Sequence, residues 1–399
     1  MQAGDERDRP MAITAATVFG VVSVLVFIIQ PGYVQGLVDL AGLTGAQAGY
    51  VASAEMTGYA ITVIAMSFLS HRVRWAPMLF ACILVQALGN AGCVLSTDAT
   101  WLAAARFVAG LGAGGMASLA FTAIGMTRDP DRQFGFFIMW ILAYGAVGLF
   151  GLPSLFGLVG LRGFHLLALA ATLGALPFVR FMPAHGGAEA QPDRCAAPLA
   201  ASGRWAAILS IFVFFLGCGI LWAYVSLIGD ARGLGLQPVA NALSLSQFTG
   251  VAGALAAGLV GSRFGRGIPL GLAIVLCAGS TAALSLVDAR AALLFGAAVC
   301  LFNFAWNVAQ PVYLSVASVY DAEGRLVPQM VASQSCGLAL GPFVGAEIGG
   351  ERNIEGLVAS VSGLFLLSAV LIALLFVAAR RSAILAPGAA ERPALFEGR

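Results

Sequence analysis

The sequence predicts an all-α integral membrane protein with 12 transmembrane helices in two six-helix bundles, repeated in parallel, with both termini in the cytoplasm. Three observations lead to this prediction: the composition, twelve long apolar stretches and the placement of arginine. Of the 399 residues, 60% are hydrophobic and 10% are charged, and the mean hydropathy is +0.92. This composition lies far from that of a soluble domain.

The apolar stretches are each long enough to cross a bilayer, whose core needs about 20 apolar residues per helix. Lipid offers no partner to unpaired backbone polar groups, so these stretches are predicted to be helices rather than open strands. Numbered from 1 to 12, the predicted spans cover roughly 11–37, 46–69, 76–96, 100–126, 133–157, 161–182, 204–229, 237–261, 268–287, 291–319, 327–349 and 354–379.

Arginine sets the predicted orientation, because the chain contains no lysine and all 21 cationic side chains are Arg. One alternating set of gaps between spans holds 16 of them. The other set holds four, namely Arg162, Arg232, Arg290 and Arg352, while Arg106 lies inside a span. Cytoplasmic loops carry the excess of positive charge. We therefore expect both termini in the cytoplasm and the protein in the inner (plasma) membrane.

The predicted domain organisation follows from the longest polar interval between spans. That interval, 183–203, is rich in Pro and Gly and is predicted to be a flexible cytoplasmic linker. It separates an N-terminal bundle at 1–182 from a C-terminal bundle at 204–380, which a cytoplasmic tail at 381–399 follows.

The two halves carry matching residues at nearly one spacing. Glu55 corresponds to Gln247, and Ser70 to Ser262, each pair being 192 residues apart. This pattern indicates a parallel internal repeat. Transporters built from such repeats bind substrate between the bundles, near the midplane of the membrane.

Three segments resemble signatures of the major facilitator superfamily. The segment 258–266 (GLVGSRFGR) is similar to the family's loop motif Gly-x-x-x-Asp-Arg-x-Gly-Arg, with Ser262 in place of the acid. The segment 106–115 (RFVAGLGAGG) resembles the fourth-helix motif Arg-x-x-x-Gly-x-Gly-x-Gly-Gly, and 341–345 (GPFVG) a glycine–proline helix motif. The resemblance implies that these segments support the conformational change, through Ser262, Arg263, Gly265, Arg266, Gly110, Gly114, Gly341 and Pro342.

Glu55 is the one acid that lies deep inside a predicted span, about 14 Å along the helix. A carboxyl that gains and loses a proton at that depth is what proton coupling requires. The alternative is a permanently protonated Glu that hydrogen-bonds within the bundle. Arg106 either extends to the outer interface or, as the family resemblance implies, faces the cavity and handles protons or substrate.

Span 10 carries a polar stripe formed by Asn303, Trp306, Asn307 and Gln310, whose spacing places them on one helix face. Amides beside an aromatic ring suit an organic substrate with hydrogen-bonding groups and a flat body. The alternative is an amide network between helices. Pro311 follows the stripe and predicts a kink.

Further candidate substrate-binding residues are polar or aromatic side chains within other spans. Aromatic residues near span ends also serve as interfacial anchors, which is the alternative for several of them. These candidates are Gln30, Tyr33, Trp140, Tyr144, Tyr224, Gln247 and Gln334.

Taken together, these features predict a secondary active transporter that moves a small organic solute, such as an aromatic or organic acid, by alternating access. Proton coupling is expected, because a chain without lysine cannot form a phosphate-binding loop of the nucleotide-hydrolysing type. The alternatives are multidrug or metabolite efflux by proton antiport, and a membrane sensor or assembly protein that does not transport. We expect no enzyme activity, cofactor, metal site or nucleic-acid partner, and a monomer whose partners are substrate, protons and lipid.

Overall fold

The structure is a computed structural model that describes residues 10–70, 72–185, 201–261, 266–320 and 326–385. Within these ranges the regular elements are α-helices and short 3₁₀ turns, and no strand occurs. The predicted all-α class is confirmed for the described part of the chain.

Seven α-helices precede residue 185. They are α1 (Pro10–Ser23), α2 (Leu25–Ile28), α3 (Gln30–Ala41), α4 (Gly45–Leu69), α5 (Trp75–Leu95), α6 (Ala99–Gly125) and α7 (Pro130–Gly174), which the 3₁₀ turn Leu176–Phe181 follows. Side chains at the N-termini explain two of the starts. Thr44 and Gln47 form a reciprocal capping box before α4, and Asp98 accepts a 2.9 Å bond from the Trp101 amide at the start of α6.

Six α-helices follow residue 201. They are α8 (Ala201–Ala231), α9 (Leu236–Gly261), α10 (Gly267–Ala283), α11 (Ala292–Tyr320), α12 (Leu326–Ile348) and α13 (Ile354–Leu385), with 3₁₀ turns at Leu284–Leu286 and Gly350–Asn353. The last helix continues beyond the predicted end of span 12 at residue 379. Residues 186–200 of the predicted linker and 386–399 of the predicted tail lie outside the described ranges.

Helix continuity differs from the prediction in the first span. Predicted span 1 is not one regular helix, because it is interrupted at Val24 and at Ile29. The helix α11 includes Pro311, and the kink expected there stays a prediction. Inside α7, Gly160 has φ +63° and ψ −175°, a backbone geometry that glycine adopts without a Cβ penalty. It lies where predicted spans 5 and 6 meet and separates two helical runs.

Eight helical stretches of the described chain are long and apolar enough to cross a membrane. One of them, Arg132–Phe181, contains 50 residues. Large apolar side chains also remain exposed on the helices, such as Leu158 at 84% and Leu293 at 90%. A surface of this kind suits lipid rather than water.

The chain divides into two compact units. Unit 1 consists of residues 1–190 with the segments 222–227 and 342–351. Unit 2 consists of residues 191–221, 228–341 and 352–399. This division differs from one at the predicted linker, because short segments of α8 and α12 belong to unit 1. The two six-helix bundles stay a prediction.

Each unit has one helix on which two others pack. In unit 1, α4 and α5 pack against α6, and in unit 2, α9 and α10 pack against α11. These helices correspond to the second, third and fourth spans of each predicted half. The same packing in both units is what an internal repeat predicts.

Candidate functional site

The break in the first predicted span exposes backbone carbonyls, and side chains from other helices satisfy them. Pro31 has no N–H, so the Phe27 carbonyl four residues earlier lacks its helical donor. The indole of Trp222 donates to that carbonyl at 3.0 Å. Tyr144 donates to the Leu25 carbonyl at 2.7 Å. Irregular backbone at membrane depth is tolerated where such donors replace the lost helical bonds.

Gln86 on α5 also donates a hydrogen bond to this interrupted segment, from its amide to the Val22 carbonyl at 3.0 Å. Gln30 begins the helix that follows the break and is 1% exposed. Its Nε2 atom has no hydrogen-bond partner among the described residues. A buried amide donor without a protein partner is free to bind a ligand or a water molecule.

Glu55 and Arg106 form an ion pair in the interior of unit 1. Glu55 lies ten residues after the start of α4, about 15 Å along the helix. The Arg106 Nε atom donates to Glu55 Oε2 at 3.2 Å, and Nη2 donates to Oε1. Both side chains are almost fully buried, with 1% exposure for Arg106 and 4% for Glu55. Arg106 therefore lies inside the unit rather than extending to an outer interface.

Close packing of α4 against α6 brings the two charges together. A Cβ atom at Gly110 would overlap the backbone carbonyl of Glu55, and one at Gly114 would overlap the carbonyl of Tyr59. On the other helix, a Cβ at Gly58 would overlap the Phe107 carbonyl. Small residues at these positions allow two membrane helices to approach backbone to backbone.

Asn90 is a member of the site that the sequence analysis did not select. Its Oδ1 atom accepts from Arg106 Nη1 at 2.7 Å, and its own amide donates to Thr172 Oγ1 at 3.1 Å. Asn90 is 1% exposed and Thr172 is fully buried. A signal existed in the sequence, since Gln86 and Asn90 are spaced i, i+4 on an otherwise apolar helix.

Tyr33 joins the ion pair to His165. The Arg106 guanidinium carbon lies 5.6 Å from the centre of the Tyr33 ring, within the range of a cation–π contact. The Tyr33 hydroxyl lies 3.1 Å from His165 Nε2. Both Tyr33 and His165 have 0% exposure. The structure thus brings Glu55, Arg106 and Tyr33 together, as members of one buried cluster with Asn90, Thr172 and His165.

The polar stripe of α11 lies in unit 2, where it forms part of an amide network. Asn303 donates to Ser246 Oγ at 3.0 Å, and Asn307 donates to Asn303 Oδ1 at 2.7 Å. Pro311 leaves the Asn307 carbonyl without its helical donor. Asn303 is 3% exposed, whereas Asn307 is half-buried. Within the stripe, Asn303 is buried and hydrogen-bonded, whereas the amide of Asn307 is more accessible.

Gln247 lies beside Ser246 on α9 and is 2% exposed. Its Nε2 atom has no hydrogen-bond partner among the described residues. Trp306 is 9% exposed and its ring packs against Phe302 and Phe215. Gln310 is half-buried, and so is Gln334, whose Oε1 atom has no described partner.

The remaining predicted residues lie apart from these two clusters. Trp140 is 58% exposed, and the Tyr224 hydroxyl lies 3.2 Å from the carbonyls of Gly45 and Pro342 within unit 1. In the loop motif, Arg266 donates to Ser315 Oγ at 2.6 Å, while Ser262, Arg263 and Gly265 lie outside the described residues. A Cβ at Gly341 would come within 2.6 Å of Gly219 on α8. No group of metal-binding side chains occurs among the described residues.

Comparison with known proteins identifies the family. A family model described as Major Facilitator Superfamily matches residues 11–326. The niacin transporter NiaP of Acinetobacter baylyi is 29% identical over 106 residues, which is 27% of this chain and only 24% of that relative. The match therefore spans far less than two thirds of the relative's length.

Solved transporter structures show the same fold at low sequence identity. The human organic anion transporter MFSD10 (TETRAN) has a TM-score of 0.65 at 17% identity, with 91% of this chain and 99% of that chain covered. A point mutant of the nucleoside transporter NupG has a TM-score of 0.71 at 12% identity, with 92% and 100% covered. A bacterial homolog of the human lysosomal transporter Spinster has a TM-score of 0.67 at 15% identity, with 96% and 100% covered. Because the family model matches most of its length, this chain belongs to the major facilitator superfamily and is a membrane transporter rather than an enzyme.

Proposed function

We propose that this transporter moves a small organic monoanion together with a proton, by alternating access. The buried ion pair of Glu55 and Arg106 carries the proposal. A charged pair inside a membrane protein is costly to form and to keep. We infer that one of its charges is exchanged during function.

The pair suggests a rule for coupling. While Glu55 is ionised, its carboxylate occupies two N–H groups of Arg106. When Glu55 takes up a proton, the guanidinium loses its counter-charge and needs another anion, since an unpaired buried charge is strongly unfavourable. A substrate carboxylate can supply that charge through the same paired N–H groups. One proton and one anion then enter the site together.

The substrate class follows from the charge and from the named relatives. Niacin, the substrate named for the Acinetobacter baylyi relative, is an aromatic acid that is monoanionic at neutral pH. MFSD10 is described as an organic anion transporter. We also propose that, within unit 2, Asn307, Trp306 and Gln310 are substrate-binding residues, because amides and an indole suit a flat molecule with hydrogen-bonding groups.

Twelve membrane spans and two cytoplasmic termini are part of the proposal. The 50-residue stretch Arg132–Phe181 would be about 75 Å long as one helix, which is more than twice the bilayer core. Gly160 divides it into two crossings. The broken first span, α9 and α12 supply the remaining crossings. We propose a monomer in the inner (plasma) membrane, oriented by the arginine distribution.

Efflux by proton antiport is the second candidate function. It uses the same pair, with proton and substrate competing for the site instead of entering together. The absence of a cation partner for Glu55 other than Arg106, among the described ion pairs, favours symport, because protonation leaves a cationic site suited to an anion.

The purified protein in proteoliposomes distinguishes these functions. We expect an imposed pH gradient, acid outside, to drive uptake of radiolabelled nicotinate or a related aromatic acid above equilibrium. Loss of internal substrate under the same gradient would indicate antiport. If no member of an aromatic-acid panel binds or moves in either direction, the proposed substrate class is wrong.

A further inference from the structure

A chain of hydrogen bonds leads from Arg106 away from Glu55, through side chains on two other helices. Arg106 Nη1 donates to Asn90 Oδ1 at 2.7 Å. Asn90 Nδ2 donates to Thr172 Oγ1 at 3.1 Å. Thr172 donates in turn to the Ala168 carbonyl at 2.8 Å. The chain therefore connects α6 to α5 and then to the C-terminal part of α7.

The donors in this chain point in one direction. The single hydroxyl hydrogen of Thr172 is committed to the Ala168 carbonyl, so its oxygen can only accept from Asn90. Asn90 must then present its NH₂ group to Thr172 and its carbonyl to Arg106. The flipped amide would place NH₂ hydrogens against guanidinium hydrogens. Thr172 thus fixes which end of the Asn90 amide meets the cation.

The neutrality of Asn90 matters as much as its orientation. Arg106 is held on one side by a carboxylate and on the other by an uncharged amide, both buried. The proton on Glu55 therefore decides whether this guanidinium has a counter-charge. An acid at position 90 would neutralise Arg106 permanently and remove that dependence.

We propose that Asn90 and Thr172 are positioning residues that set the pH at which Glu55 exchanges its proton. Neither residue needs to contact substrate. They hold the guanidinium side-on to Glu55 and add no charge of their own to the cluster, in which Tyr33, His165 and Cys93 are the other titratable side chains near the pair. Their importance for transport rests on the proposed function, whereas their effect on Glu55 is a property of the pair itself.

Thr172→Val tests the proposal while keeping the shape of the side chain. Without the hydroxyl, Asn90 loses its fixed orientation and Arg106 is less well ordered against Glu55. The ionised form of Glu55 is then less stabilised. We expect the pH of half-protonation to move to the alkaline side by about 0.5–1 unit, the scale of one lost hydrogen bond. Thr172→Ser keeps the hydroxyl and should behave as wild type.

The readout is labelling of Glu55 by dicyclohexylcarbodiimide, which reacts with protonated carboxyl groups, in the purified full chain across a pH series. Mass spectrometry locates the label, and Glu55→Gln supplies the blank. Asn90→Asp is the second variant, and it should shift half-labelling further than Thr172→Val, because its carboxylate competes for Arg106. A melting temperature alone would not separate positioning from packing, whereas the pH of half-labelling does.

An unchanged or acid-shifted half-labelling pH in both Thr172→Val and Asn90→Asp would overturn the proposal. This failure differs from that of the proposed function. If wild type shows no proton-driven transport but the labelling shifts occur, the positioning holds and the symport is wrong. If wild type accumulates substrate in a pH gradient but the labelling does not shift, the symport holds and the positioning is wrong.

Discussion

Glu55 and Arg106 combine two properties at the scale of single residues: they are opposite charges, and they are withdrawn from solvent almost completely. Removing one member of such a pair leaves the other buried and unpaired, at a cost of about 3–5 kcal/mol. In the proposed mechanism, protonation of Glu55 likewise leaves the guanidinium unpaired, and this unpaired charge recruits an anion. A substitution in this pair is therefore expected to change both the stability of the protein and its transport activity.

Glu55→Gln should abolish proton-driven accumulation, because the amide cannot carry the exchanged proton. Counterflow exchange of substrate should persist at least in part, since Arg106 stays available. We also expect a lower melting temperature, and substrate should stabilise this variant more than it stabilises wild type. Uptake, counterflow and melting are measured on the same preparation.

Glu347→Gln is the matched control, because Glu347 is an exposed carboxylate that accepts a 2.7 Å bond from Tyr50. It should accumulate substrate as wild type does. If Glu55→Gln still concentrates substrate against a gradient as well as wild type, Glu55 is not the coupling group.

Asn307→Ala addresses the polar stripe of unit 2. Asn307 is half-buried, and its amide donates to Asn303, which keeps a second contact with Ser246. If Asn307 contacts substrate, the variant should bind substrate more weakly at a nearly unchanged melting temperature. A purely structural role should cost about 1–3 kcal/mol, or less, given the small coupling between polar groups in membrane helices.

The control for that variant is Asn241→Ala on α9, where the amide is exposed and accepts a local bond from Gln237. In Asn241→Ala, substrate affinity and melting temperature should both stay close to the wild-type values. A lower melting temperature with unchanged substrate affinity in Asn307→Ala would remove this face from the binding site.

At the scale of helices, the close contact of α4 and α6 holds the ion pair together. Gly110→Ala would place a methyl group against the Glu55 carbonyl, where only backbone can move. We expect a loss of about 1–3 kcal/mol in stability, as is typical of overpacking. Proton-driven uptake should fall as well, because Glu55 and Arg106 move apart.

Gly157→Ala on α7 provides a matched comparison, since a Cβ at Gly157 meets no atom within 4 Å. Alanine is the better helix former by roughly 0.5–1 kcal/mol, so this variant should be as stable as wild type or more so. Equal thermal stability of the two variants would show that close packing at Gly110 is not required.

The helices also show what sequence reasoning could reach. Span positions were predicted from hydrophobicity, and the depth of Glu55 was predicted from its position within a span. The pairing of Glu55 with Arg106, 51 residues away, was not predicted. It depends on the register of α4 against α6, which Gly58 and Gly110 set through contacts that no local pattern contains.

The break in the first span was unpredictable for the same reason. Pro31 signals a lost backbone bond, but the replacement donor at Phe27 is Trp222, 195 residues later in the chain. Pro311 also removes a backbone donor, yet it lies inside one helix, α11. Local signals locate such strain, while packing decides whether a helix breaks.

At the scale of the whole molecule, orientation is the property on which the direction of coupling depends. The arginine distribution predicts that the turn after α7 is cytoplasmic and that the turn between α5 and α6 is outside. Ala184 and Thr97 are exposed residues in these two turns. Neither side chain makes a described hydrogen bond, so we expect both sites to tolerate cysteine.

Ala184→Cys and Thr97→Cys, introduced singly after all seven native cysteines are replaced, test this orientation in intact cells. An impermeant maleimide added outside should label position 97 and leave position 184 unlabelled until the membrane is permeabilised. The two variants are matched in exposure, so a difference in labelling reports the side of the membrane. Labelling of position 184 in intact cells would reverse the orientation. The proton gradient that drives uptake in the present proposal would then drive export through the same Glu55–Arg106 pair.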